Sequence, residues 1–285
     1  MKTRILGIAL TALLFVSLFM ACNKKEDTQN ISDTEITTEL TDNYEDALIE
    51  NVNDDTDQDL LSLDQSGYQL NKAGDVCKII TVNHPDSTNF PKEITIDYGT
   101  GCTVVVNGDS ITRKGIIKIV ITGRYFKEGT TKTITFDNFY VNDVKVEGTR
   151  TITSLGKNAE GNYSWKNTLV GGKLIYSDGT IVTRETNRTR TLYTNSTPAI
   201  LSDDYFLVEG TVSGINYKGE TYKREIVTPL RKNRDCRFFS SGVIKITRNE
   251  TDIATLDFGD GTCDRTATIT KNGETKTIQL KWRRF

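Results

Sequence analysis

The chain has 285 residues, 36 Lys+Arg against 38 Asp+Glu, one histidine and five cysteines. The near-neutral balance excludes the overall cationic field expected of a nucleic-acid binder, and one histidine leaves little for His-based catalysis or zinc ligation. The total hides an asymmetry: residues 23–66 carry 14 acidic side chains against two lysines, while residues 67–285 carry 32 basic against 24 acidic.

In chain order, Lys2 and Arg4 precede an uncharged apolar run from Ile5 to Met20, and the small Ala21 stands directly before Cys22. A charged start, a short apolar stretch and a small residue form a secretory signal. The run is shorter than the roughly 20 residues of a spanning helix. The Ala21-Cys22 junction resembles the lipobox of bacterial lipoprotein signals, although Phe19 and Met20 depart from its usual residues. That resemblance implies removal of residues 1–21 and acylation of Cys22, palmitate included, with membrane lipid as its partner. Lys24-Lys25-Glu26-Asp27 resembles the surface-export signal of Bacteroidota lipoproteins and implies an outer-membrane protein facing outward.

Residues 22–66 read as an acidic, solvated tether. Within it Leu40, Tyr44, Leu48, Ile49 and Val52 fall at helical spacing. Either a short amphipathic helix docks on the domain, or a transient helix forms in a linker. The basic excess beyond the tether fits either an anionic partner or basic residues spread over outward strand faces. Alternation of basic and acidic residues along the strands favours the second.

Residues 67–285 fit one domain, and their pattern is β throughout. Short alternating runs rich in Thr, Ile, Val, Tyr and Phe cover 94–98, 116–121, 133–139, 145–153, 172–176, 180–186, 205–212, 221–227, 243–247 and 275–282. Asn107-Gly108, Asp178-Gly179, Lys218-Gly219 and Asn272-Gly273 separate such runs and predict hairpin turns. Period-two alternation turns one face inward. The expected fold is an all-β antiparallel meander, either a sandwich or a strongly curved sheet.

With Cys22 assigned to lipid, Cys77, Cys102, Cys236 and Cys263 remain, an even set in an exported chain. Ile96-Asp97-Tyr98-Gly99-Thr100-Gly101-Cys102 parallels Leu256-Asp257-Phe258-Gly259-Asp260-Gly261-Thr262-Cys263. Each string follows an earlier cysteine across a predicted hairpin, and each leads into a polar strand, Asn-Gly and another strand. The economical pairing is therefore Cys77–Cys102 and Cys236–Cys263, one disulfide in each of two related β units. Taken with the signal and tether, "ITIDYGTGC", "FDNFYVNDVKVEGTRTIT" and "LDFGDGTCD" resemble a family of Bacteroidota lipoproteins of unknown function. The resemblance carries over no site residues.

The aspartates of 257–264 lack the spacing of an EF-hand loop and read as caps on glycine turns. His84, before Pro85, reads as a loop residue. Asp137, Asp143, Glu147, Asp203 and Asp204 are the carboxylates available to a glycan hydrolase, which needs two facing each other. Among the aromatics, Trp165 beside Tyr163 is the first candidate for stacking on a ligand. No metal or other cofactor and no nucleic acid is implied. The expected function is a surface-anchored binding or structural module without enzymatic activity, its ligand a glycan or protein at the cell surface. A carboxylate hydrolase and an apolar-ligand carrier are the alternatives.

Overall fold

The structure, a computed structural model, describes residues 77–83, 89–106, 109–194, 204–236 and 238–280. The predicted signal peptide, Cys22, the tether with its amphipathic stretch, His84, Asn107-Gly108, Asp203 and Trp282 lie outside the described residues.

All regular structure among the described residues is β. The strands are β1 (Ile79–Val82), β2 (Lys92–Asp97), β3 (Cys102–Val106), β4 (Asp109–Ile121), β5 (Thr131–Val141), β6 (Val144–Lys157), β7 (Tyr163–Ile175), β8 (Ile181–Tyr193), β9 (Tyr205–Ile215), β10 (Thr221–Asn233), β11 (Ser241–Arg248), β12 (Thr251–Asp260), β13 (Thr266–Lys271) and β14 (Glu274–Gln279). They form one 14-stranded sheet. From β4 to β14 every strand pairs antiparallel with the next. Of the two architectures left open by the sequence, the hydrogen bonding selects the single sheet.

Tight turns make this meander possible. At Asn272-Gly273 both residues have positive φ, 52° and 82°, and Lys271 opposes Glu274 directly. That is the mirror-image turn whose twist matches the flanking strands. Asn142-Asp143 and Asn249-Glu250 make the same kind of turn with non-glycine residues. Each of those asparagines also binds the neighbouring strand: Asn142 Oδ1 accepts from Thr112 N at 2.9 Å, and Asn249 Oδ1 from Thr221 N at 3.1 Å.

Alternation then sets the faces. In β2, Lys92, Ile94 and Ile96 are buried while Glu93, Thr95 and Asp97 are not. One line of direct cross-strand partners runs Ile94, Ile119, Ile134, Arg150, Leu169, Thr186, Val212, Arg224, Ile246 and Ala254. Every side chain in that line is buried, so one face of the sheet is the inner face from β2 to β12. Its apolar content divides in two. One cluster gathers Ile94, Ile117, Ile134, Phe139 and Leu174, and the other Leu230, Ile244, Leu256 and Ile269.

The ladder is broken at a series of bulges, which bend strands and increase local twist. Register shifts occur between Lys114 and Ile116, Glu147 and Thr149, Leu169 and Gly172, and Ser241 and Val243. Two glycines explain why the backbones can meet there. A Cβ on Gly115 would stand 2.0 Å from the Asn138 carbonyl oxygen, and one on Gly242 would stand 2.4 Å from that of Pro229.

Both predicted disulfides are present, Cys77–Cys102 and Cys236–Cys263, with Cα separations of 5.2 and 5.6 Å. They close the β1–β2 and β11–β12 hairpins, the first ending at the start of β3 and the second just before β13.

Candidate functional site

Three features of the described residues bear on function: an aromatic group at one strand end, a shallow cleft, and a set of arginines on the inner face.

The aromatic group forms where the β4–β5 connection reaches the start of β7. Lys127 N donates to Arg124 O and Gly129 N to Ser154 O, which closes the connection over the β6–β7 end. This places Tyr125 on the Trp165 ring, stacked at 4.9 Å between centroids, with Phe126 edge-on to Tyr163 at 4.8 Å and to Trp165 at 5.6 Å. Trp165 Nε1 donates to Tyr125 O at 3.3 Å, and Arg190 Nη2 donates to the Tyr125 hydroxyl at 2.9 Å. The Arg190 guanidinium lies over the faces of both Trp165 and Phe206.

The structure thus brings Trp165 and Tyr163 together, but Trp165 is only 2% exposed. It is the floor of the group. The rings open to solvent are Tyr125 and Phe126, at 43% and 49%. Sequence reading favoured Trp165 because it stood in a polar stretch. Position 165 belongs to the inward set of β7, with Leu169 two steps on, and that parity was the signal for burial.

The cleft, about 290 Å³, lies over β7, β8 and β9, lined by Lys166, Thr168, Val170, Glu185, Asn187 and Ser213 among others. It lies open on the sheet rather than enclosed, unlike the concave pocket that buries most of a small ligand. Glu185 is held there by Gly171 N, which donates to Oε1 at 2.8 Å.

The candidate hydrolase carboxylates are dispersed and individually engaged. Asp137 pairs with Lys118 at 2.8 Å, Asp143 with Lys114 at 3.1 Å, Glu147 with Lys145 at 2.8 Å, and Asp204 with Arg234 at 3.3 Å. The hydrogen bond from Lys145 holds the Glu147 carboxyl below its ordinary range, the opposite of what a general acid requires. Asp97, Asp257, Asp260 and Asp264 each accept a backbone N–H two residues on, in the turn-capping role expected of them.

The feature that sequence reading missed is the inner-face arginine set. Arg150 on β6, Arg184 and Arg188 on β8, Arg224 on β10 and Arg248 on β11 occupy the inward parity. Arg150, Arg184 and Arg224 are buried, at 7%, 1% and 4% exposure. They are interleaved in register: Arg184 opposes Gly214, which opposes Tyr222, which opposes Arg248. Arg150 Nε donates to Asn167 Oδ1 at 2.9 Å, and Arg184 Nε to Thr186 Oγ1 at 3.2 Å. Arg224 stacks over Tyr222, and Arg248 Nε lies 3.5 Å from Glu220. Burial first, then repulsion from Arg188, pushes the Arg184 guanidinium down to about 9, still cationic at neutral pH. The legible signal was Val182-x-Arg184-x-Thr186-x-Arg188-x-Arg190, in which arginines continue the parity of a core valine.

Compared with known proteins, the chain matches no family model, no curated protein and no solved structure.

Proposed function

We propose that this chain is a lipid-anchored module of the outer membrane, displayed outward on an acidic tether, that works by binding rather than by catalysis. The anchor is Cys22, acylated after removal of residues 1–21. The sequence of the first 27 residues supports the address, and the resemblance to Bacteroidota lipoproteins agrees with it.

The geometric observation that carries the binding reading is the Tyr125–Phe126 pair. Two large rings stand half-exposed, yet their backbone and ring positions are held by Trp165, Tyr163 and Arg190. Rigid aromatic surface loses little conformational freedom on binding, and a flat ring suits the apolar face of a sugar or an aromatic side chain. The ligand class is accordingly a glycan or protein segment at the cell surface.

Two experiments test this. Intact-protein mass spectrometry of the membrane fraction should find an acylated chain beginning at Cys22; an unmodified chain beginning at Met1 would end the anchoring claim. On a glycan and peptide array, the wild-type domain should show ligands that Tyr125→Ala and Phe126→Ala each weaken by about tenfold or more, the scale of losing a stacking contact. Ligands bound equally by both variants would reject this surface.

A further inference from the structure

We infer that the Tyr125–Phe126 surface takes an acidic glycan, a sugar chain bearing carboxylate or sulfate groups, whose anions meet Arg124, Lys127, Lys157 and Arg190. The inference rests on the reading of these two rings as a binding surface and adds the charge of the ligand.

The cations around the rings carry it. Arg124 and Lys127 flank the ring pair in the chain, and both are exposed. Lys157, exposed at the end of β6, holds Nζ 5.0 Å from the centre of the Tyr163 ring, which Phe126 meets edge-on. Arg190 donates one hydrogen bond, to the Tyr125 hydroxyl, and its guanidinium is set in place over Trp165 and Phe206. Among the described residues none of these four forms an ion pair. Elsewhere on the sheet Lys114, Lys118, Lys145, Lys223 and Lys245 each hold a carboxylate within 3.1 Å.

The acidic residues of the β4–β5 and β6–β7 connections do not cancel this charge. Glu128 lies against Gly156, and Glu160 accepts from Asn162 Nδ2 at 3.3 Å. Four cations therefore share the strand end with two carboxylates, a local field that draws anions to the two half-exposed rings. A guanidinium carries five N–H donors, so Arg190 keeps donors for a two-point contact with a carboxylate or sulfate while it holds Tyr125.

The shape favours a sugar chain over an acidic peptide. Trp165, 2% exposed, fills the space beneath the rings and closes the floor to the side-chain anchor that a peptide would sink. Tyr125 and Phe126 meet edge-on, 5.2 Å apart with 88° between their planes, and so offer two flat surfaces at an angle. Successive sugars can lay their C–H faces on such rings, with acidic substituents reaching the cations at the rim. Rings with cations also suit single-stranded nucleic acid; the proposed outward address favours the glycan.

The test uses the full mature chain and matched probes: polygalacturonate and alginate beside their methyl esters, and dextran sulfate beside dextran. At least one acidic form should bind about tenfold or more tighter than its neutral counterpart, the scale of several exposed charge contacts acting together. The preference should shrink as salt rises from about 50 to about 200 mM. The exposed triple variant Arg124→Gln, Lys127→Gln, Lys157→Gln should bring the acidic form down to the affinity of its neutral counterpart. Tyr125→Ala should weaken both forms. Equal binding of acidic and neutral forms, both weakened by Tyr125→Ala, would overturn the charge assignment and leave the aromatic surface standing. Acidic binding untouched by Tyr125→Ala would overturn the inference together with the reading of the rings. Binding of none of the acidic probes overturns it as well. Polyglutamate or oligothymidylate bound as tightly as the best acidic glycan, with the same response to the variants, would assign the surface to an acidic peptide or a nucleic acid instead.

Discussion

The two disulfide-bonded units begin alike and end differently. In each, an Asp caps the glycine two residues on, Asp97 to Gly99 N at 2.7 Å and Asp257 to Gly259 N at 2.8 Å. In each, the aromatic between them is buried against a phenylalanine, Tyr98 on Phe139 and Phe258 on Phe239. Beyond that point the chains part. In the first unit β3 runs on from β2 in the same direction, so that β4 pairs with β3 through residues 109–113 and with β2 through 116–121. In the second, the chain reverses after β12, and β13 folds back on residues 255–257 of β12.

The loops explain the split. The second has one residue more before its cysteine, and two further aspartates make tight caps: Asp260 on Thr262 N at 3.0 Å and Asp264 on Thr266 N at 2.8 Å. The first has Thr100 where the second has Asp260. Successive side-chain caps favour chain reversal. The comparison teaches that a shared motif specifies a local turn and a disulfide, while the residues just after it specify which strand becomes the neighbour.

The largest test of this equivalence is to remove each disulfide as a Cys→Ser pair. Loops of 25 and 27 residues predict nearly equal losses, about 3 kcal/mol each in the chain-entropy model. Denaturant unfolding of the two variants would measure them. Losses differing by more than about 1 kcal/mol would show that the units do not contribute alike.

Next in size are the bulge glycines beside each unit. Gly115→Ala and Gly242→Ala each drive a Cβ into a carbonyl oxygen at positive φ, 87° and 107°. Each should cost about 2–3 kcal/mol. Gly99→Ala, with open space around it, should cost only about 1 kcal/mol for its left-handed backbone. Equal costs at 115 and 99 would mean that close approach is not what the bulge glycine is for.

Smaller again are the caps. Asp97→Ala and Asp257→Ala each remove one exposed hydrogen bond and should cost about 1 kcal/mol. Asp260→Thr converts the second loop toward the first. It should raise amide exchange at Thr262 and along the β12–β13 pairing, with the β10–β11 pairing unaffected.

The smallest effect is on pH. Hydrogen bonds from the Thr262 side chain and backbone hold the Asp260 carboxyl below its ordinary range, and Lys245 does the same for Asp252. A depressed carboxylate contributes stability above its unfolded pKa and loses it as pH falls through the folded value. Protection in the second unit should therefore decline before that of the first on acidification below about pH 4. Simultaneous decline would remove this distinction between the units.

Much of this fold was legible. The turn at Asn272-Gly273 and the inward Ile94 and Ile96 follow from local rules, because turn chemistry and period-two alternation act over a few residues. The disulfide pairing was legible because the internal similarity set each cysteine beside its own hairpin. The candidate site was less so. The polar neighbours of Trp165 make it a candidate for stacking on a ligand, but in a strand the parity of position decides exposure, and it shares parity with the buried Leu169. The arginines were read as outward because basic and acidic residues alternate. On β8 and β10 it is the acidic partner that faces out.

By itself the sequence determined the strand content, the tight turns, the cysteine partners and the charge imbalance between residues 23–66 and the rest. Each depends on neighbours in the chain or on simple counts. Only the tertiary structure decided that fourteen strands form one sheet rather than two, that β2 passes over β3 to pair with β4, and that Arg150, Arg184 and Arg224 lie on the core face. A strand edge carries the same hydrogen-bonding groups whatever its residues. Its partner is chosen by the packing of the whole sheet, and that choice turns an alternating pattern into an inside and an outside.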